Sequence, residues 1–85
     1  MFTVTVHYHA ILREKLGCAS ESFQLKEGSV ASDIFAEATR RHSDFKPLIP
    51  ILQIALNEEI VSRDSQKTPL KNGDRVDFFP PFGGG

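Results

Sequence analysis

The 85-residue chain holds a single cysteine, no excess of either charge and no long apolar run. Each absence excludes a class of function. Cys18 alone cannot close an intrachain disulfide or build a multi-cysteine zinc centre, which argues for a reducing compartment and against a secreted disulfide scaffold. Ten Lys and Arg against eleven Asp and Glu leave a formal net charge of -1. No basic field is available to gather phosphates, so nucleic acid is not expected as a partner. The opening "MFTVTVHYHA" lacks the charged start and continuous apolar run of a signal peptide, and nothing further along calls for a lipid. A cytoplasmic protein with no membrane partner is expected. With 40% hydrophobic and 25% charged residues, the composition is that of one small soluble domain. Such a domain has little room for an internal catalytic cleft, so function is expected on its surface or at an end. There is no internal repeat, no linker and no low-complexity tract apart from the final glycines.

What is present is a clear alternation of patterns. Phe2, Val4, Val6 and Tyr8 alternate with Thr3, Thr5, His7 and His9, the period of a strand with one buried face. "ILREKLG" places Ile11, Leu12 and Leu16 at helical spacing, with Gly17 as a left-handed cap. "SFQLKEG" alternates again through Phe23 and Leu25, a second strand returning antiparallel to the first. The main helix lies in "GSVASDIFAEATRRH". There Ala31, Ile34, Phe35 and Ala38 share a face, Ser29 is the expected N-cap, and Arg40, Arg41 and His42 complement the negative end of the dipole. Pro47 and Pro50 prevent "SDFKPLIPIL" from being one regular helix and make it a connector.

Leu52, Ile54 and Leu56 then mark a third strand, Asn57-Glu58-Glu59 a turn, and Ile60-Val61 a fourth strand. Residues 62–69 are polar and read as a surface loop, and Asn72-Gly73 is a strong turn signal. In the last strand, "RVDFF", Val76 and Phe78 share one face and Arg75, Asp77 and Phe79 the other, which makes Phe79 an exposed aromatic. The expected architecture is α+β: a mixed five-stranded sheet packed on one main helix, with a domain at 1–79 and a tail at 80–85.

The tail carries the functional question. Pro80 and Pro81 lack N–H groups and end the strand ladder near Phe79. Residues 80–85, at roughly 3.3 to 3.6 Å each when extended, project about 20 Å, deep enough to enter another protein's pocket. The prolines stiffen its base, Phe82 offers an apolar anchor, and the glycines let a thin backbone pass where a Cβ would clash. The reactive group at its tip is the α-carboxylate of Gly85. Terminal glycines are also what a frayed end or a cloning scar leaves behind. The rigid aromatic run ahead of them favours a working part.

On these residues the chain resembles the ubiquitin-like β-grasp proteins. More narrowly, "AILREKLG" (10–17), "PLKNGDRVDFFPP" (69–81) and the final "GG" look like the small, sulfur-carrying subunits of molybdopterin synthase. The resemblance spans almost the whole chain. It implies that Gly85 is adenylated by an activating enzyme that uses ATP, then converted by a sulfur donor to a thiocarboxylate. It further implies that the tail enters the large synthase subunit and gives sulfur to a cyclic pyranopterin monophosphate precursor. Arg13, Phe79, Pro80, Pro81, Phe82, Gly83 and Gly84 are thereby implied as partner-binding residues, with no bound cofactor. A carrier for thiamin or tRNA thiolation, a protein modifier that forms isopeptide bonds through Gly85, and an inert interaction module are the alternatives.

No catalytic constellation is visible in the rest of the chain. His7 and His9 stand at i, i+2 on one strand face, close enough to share a metal with His42 as third ligand. Exposed polar positions explain them more simply, and no metal site is expected. Cys18 has no visible base partner and reads as a packed or half-exposed thiol. Asp74, Asp77, Glu58 and Glu59 fall at turn and outward positions and read as solvated charge.

Overall fold

A computed structural model describes residues 1–61 and 67–80. Its elements are β1 (Phe2–Tyr8), α1 (Ile11–Leu16), β2 (Ser20–Leu25), α2 (Ala31–Arg41), a stretch of 3-10 turns (Ser43–Ile51), β3 (Gln53–Leu56), β4 (Glu59–Val61) and β5 (Arg75–Phe79). The sheet order is β2-β1-β5-β3-β4. β1 runs antiparallel to β2 and parallel to β5, and β5 runs antiparallel to β3. The expected mixed five-stranded α+β sheet is therefore present, with its last strand at the centre.

The period-two pattern of β1 decides what lies inside. Phe2, Val4, Val6 and Tyr8 are buried while their alternate neighbours are half-exposed. On the same face Phe23, Leu25, Ile54, Val76 and Phe78 meet Ile34 and Ala38 of α2. The proline-bearing connector contributes to this core as well. Phe45, fully enclosed, sets its ring edge-on to Phe78 at a centroid distance of 5.1 Å and to Tyr8 at 6.4 Å. Tight 3-10 turns accommodate the prolines that an α-helix would refuse.

Gly17 caps α1 at φ 76°, donating its N–H to the Arg13 carbonyl at 3.0 Å. The N-cap of α2 differs from the expectation. Ser29 accepts a backbone bond from Leu70 and donates to Lys26, while Val30 bridges to Pro69. The helix therefore starts one residue later, with extended Val30 as the cap. The Asp33 carboxylate accepts the Val30 N–H at 2.8 Å. Among the described residues no helix is long and apolar enough to cross a membrane.

Candidate functional site

The site is the end of β5. Because β1 and β5 are parallel, with Tyr8 opposite Phe78, both strands finish at the same end of the sheet. α1 begins just beyond β1, so Pro80 and exposed Arg13 belong to one end of the molecule. The His9 N–H bonds to the Phe78 carbonyl at 3.2 Å, and Gln53 lies opposite Phe79 on the other side. The strand is thus gripped on both flanks up to its final residue. Pro80, half-buried, has no N–H with which to continue the ladder.

On the face away from α2, the strand register brings Arg75, Asp77, His9 and Phe79 together. Asp77 is only 3% exposed. Its Oδ1 lies 2.8 Å from His9 Nε2, and the Arg75 guanidinium binds both carboxylate oxygens at 3.0 to 3.2 Å. Burial acts to raise the Asp77 carboxyl, but the bonds and charge from Arg75 and His9 outweigh it and hold it below the usual aspartate range. The His9 ring in turn stacks on Phe79, with centroids 4.5 Å apart and planes 9° from parallel. A buried anion therefore orients an imidazole, and the imidazole orients the last aromatic of the strand before the tail.

Two readings of the sequence are corrected here. Asp77 and Asp74 are not solvated charges. Asp74, 4% exposed, accepts from the Lys71 N–H at 2.8 Å and from Asn57 Nδ2 at 3.0 Å, which ties the 72–75 turn to the β3–β4 hairpin. Phe79 is half-buried beneath its stack rather than an exposed aromatic. Alternation showed which way these side chains point but not that Arg75, His9 and Asn57 cover them. Glu58 and Glu59 are exposed as expected. Arg13 is exposed, and Pro81, Phe82, Gly83, Gly84 and Gly85 lie outside the described residues.

The histidines do not gather. His9 is bound to Asp77 on the open face, whereas His42 meets Glu21 at 2.8 Å on the helix side. Sequence reading missed the cluster around Glu21, where the Tyr8 hydroxyl also donates at 2.7 Å, because it joins a strand start to a helix end. Burial acts to raise the Glu21 carboxyl, but the bonds from His42 and Tyr8 and the Arg41 charge prevail and lower it. Burial, chiefly, pushes the Tyr8 hydroxyl far above its ordinary value. Near neutrality Glu21 is held as the carboxylate and Tyr8 as the phenol, and among the described residues the β5 end presents no nucleophile and base in register. The described residues build a platform and an exit.

The family model described as "ThiS family" matches residues 6–85. The chain is 34% identical over 82 residues to the molybdopterin synthase sulfur carrier subunit of Chlamydomonas reinhardtii, covering 96% of this chain and 98% of that protein. Among solved structures it resembles the putative molybdopterin converting factor subunit 1 from Pyrococcus furiosus. The TM-score is 0.85 at 32% identity, covering 96% of this chain and all of that one. It also resembles a chain in the complex of subunits 1 and 2 of molybdopterin-converting factor from Helicobacter pylori, with TM-score 0.71 over 99% of this chain and 100% of that chain. At 20% identity that last likeness is one of fold.

Proposed function

The chain belongs to the ThiS family, and from that premise we propose that it is the small, sulfur-donating subunit of a molybdopterin synthase, with Gly85 as its carrier residue. The observation that carries this reading is the exit of the chain from the sheet. A central strand paired on both flanks ends at Phe79–Pro80, and the residues beyond it lead to Gly84 and Gly85. A tail that starts from a rigid strand has a defined root, so its tip searches only a limited volume for a partner's active site.

The chemistry needs a thin arm because the carboxylate is worked on by a succession of proteins. A carboxylate resists nucleophiles, so the Gly85 carboxylate first attacks the α-phosphorus of ATP on an activating enzyme, forming an acyl adenylate and releasing pyrophosphate. A donor of sulfide-level sulfur then attacks the acyl carbon, forming the C–S bond as the C–O bond to AMP breaks, and leaves a thiocarboxylate. In the large synthase subunit that sulfur attacks the pyranopterin precursor, and water ultimately restores the Gly85 carboxylate. Acids, bases and cationic groups for these steps belong to the partners. This chain supplies the arm and a docking surface of Arg13, Phe79 and Pro80 at its root, continued by Pro81, Phe82, Gly83 and Gly84.

The test is reconstitution with the large subunit, the activating enzyme, ATP and a sulfur source. Conversion of the precursor to a dithiolene product is expected with the full chain and is abolished when Gly84 and Gly85 are deleted. Equal conversion by the deleted chain contradicts the proposal.

A further inference from the structure

On the helix side of the sheet, far in sequence from the tail, the fold brings together Cys18 from the loop before β2, Glu21 from β2 and His42 from the end of α2. Their ligand-type atoms, a thiol sulfur, a carboxylate oxygen and an imidazole nitrogen, all lie within 4.8 Å of one another, and all three residues are half-buried. We propose that these side chains bind one borderline-soft divalent cation of the zinc class, with water completing a four-coordinate shell.

The donor set suits such an ion. Thiolate, imidazole and carboxylate bind zinc at about 2.3, 2.0 to 2.1 and 2.0 to 2.2 Å, whereas calcium and magnesium prefer oxygen alone. Tetrahedral ligands at those lengths stand roughly 3.3 to 3.7 Å apart, so closing the cluster needs a contraction of at most about 1.5 Å. Cys18 sits between exposed Gly17 and Ala19, whose backbones are bonded to Arg13 and Tyr8, so the contraction falls to the side-chain rotamers of the three ligands. His42 Nε2 and Glu21 Oε2, hydrogen-bonded at 2.8 Å, must in turn part by roughly 0.5 Å or more to share the ion.

The surroundings keep charge in balance. Thiolate and carboxylate together offset a divalent ion. The nearest competing cation, Arg41, is 3.8 Å from Glu21 Oε1 but is held by Glu37 at 2.8 Å, by the Ser22 carbonyl at 3.2 Å and over the Phe23 ring. The Tyr8 hydroxyl donates to Glu21 and its ring stands edge-on to His42 at 5.8 Å, which limits the orientations of two of the three ligands. Binding takes the Cys18 thiolate and the imidazole through Nε2, so the thiol proton is released and the proton that Nε2 shares with Glu21 has to leave that nitrogen. Because a proton is released, uptake is expected to strengthen as pH rises.

Cobalt(II) is the probe, added to the full chain under reducing conditions. One equivalent is expected to give a thiolate-to-cobalt charge-transfer band with tetrahedral visible bands, displaced by zinc. Cys18→Ser and His42→Gln are each expected to abolish the band or weaken uptake by at least about tenfold, while a His7→Gln, His9→Gln double variant retains it. Because Cys18 is the only thiol, zinc must also slow alkylation of the unmutated chain, a readout that needs no variant to fold. The proposal is overturned by absence of the thiolate band together with unchanged alkylation. It is overturned equally by uptake that survives Cys18→Ser and His42→Gln, or that disappears in the His7, His9 variant.

Discussion

Asp77 shows how one residue can organise a surface. Only 3% exposed on a face that the main helix does not cover, it holds Arg75 and His9, and His9 lies flat on Phe79. The folded state holds the Asp77 and Glu21 carboxyls below their ordinary values. A depressed carboxyl stabilises the fold above its unfolded pKa, and that contribution is lost as pH falls through the folded value. Stability, read as the urea midpoint, is therefore expected to decline on acidification below about pH 4. The decline is expected to be shallower in an Asp77→Asn, Glu21→Gln double variant, and an equal decline would remove these two groups from the account.

Phe79→Ala is predicted to weaken binding of the large subunit by more than about 1 kcal/mol, measured by calorimetry, while the far-ultraviolet dichroism stays unchanged. Unaltered affinity would mean that the stacked aromatic does not dock. At this scale the sequence was legible in direction only. Alternation put Asp77 and Phe79 on the outer face, but their cover comes from Arg75 two residues away and from His9, a neighbour only through the parallel β1–β5 register. Pairing across the intervening chain is not written in a local pattern.

Among the elements, those with a strong local period were readable from the chain. β1, β2, α2 and β5 stand where alternation and helical spacing put them, and Gly17 closes α1 in the left-handed region. Misreadings fall where tertiary contacts overrule local preference. Ser29 has a good capping side chain, yet its backbone is committed to Leu70 and Lys26, so Val30 caps α2. The connector holds Phe45 in the core through 3-10 turns, which no amphipathic period announces. The β3–β4 hairpin carries local strain at its turn. Asn57 and Glu58 both have positive φ, at 50° and 73°, as a two-residue type I′ turn requires. Asparagine tolerates that region but glutamate does not, so Glu58→Gly is predicted to raise stability by about 1 kcal/mol in urea denaturation. A loss of stability would show that the Glu58 side chain contributes more than its backbone strain costs.

At the scale of the whole molecule, the topology makes function a matter of position. Sheet order β2-β1-β5-β3-β4 puts the last strand in the middle, so the chain leaves from the best-supported line of the structure. The parallel β1–β5 pair also places the start of α1, and with it Arg13, at the same end. The end of β5 was foreseeable, because Pro80 and Pro81 lack the N–H groups that a strand ladder needs. The mixed-ligand cluster of Cys18, Glu21 and His42 was not, since its members come from a loop, a strand and a helix end that only the finished fold brings within reach of one another.

The central claim is that Gly85 carries sulfur, and intact-mass spectrometry tests it most directly. The protein is incubated with ATP, a sulfur source and the adenylating enzyme of the same cell, in parallel with a chain lacking Gly85. The account predicts a mass gain equal to one sulfur replacing one oxygen in the full chain and no gain in the shortened one. Neither adenylate nor sulfur on the full chain, with an enzyme shown to be active on another carrier, would contradict it.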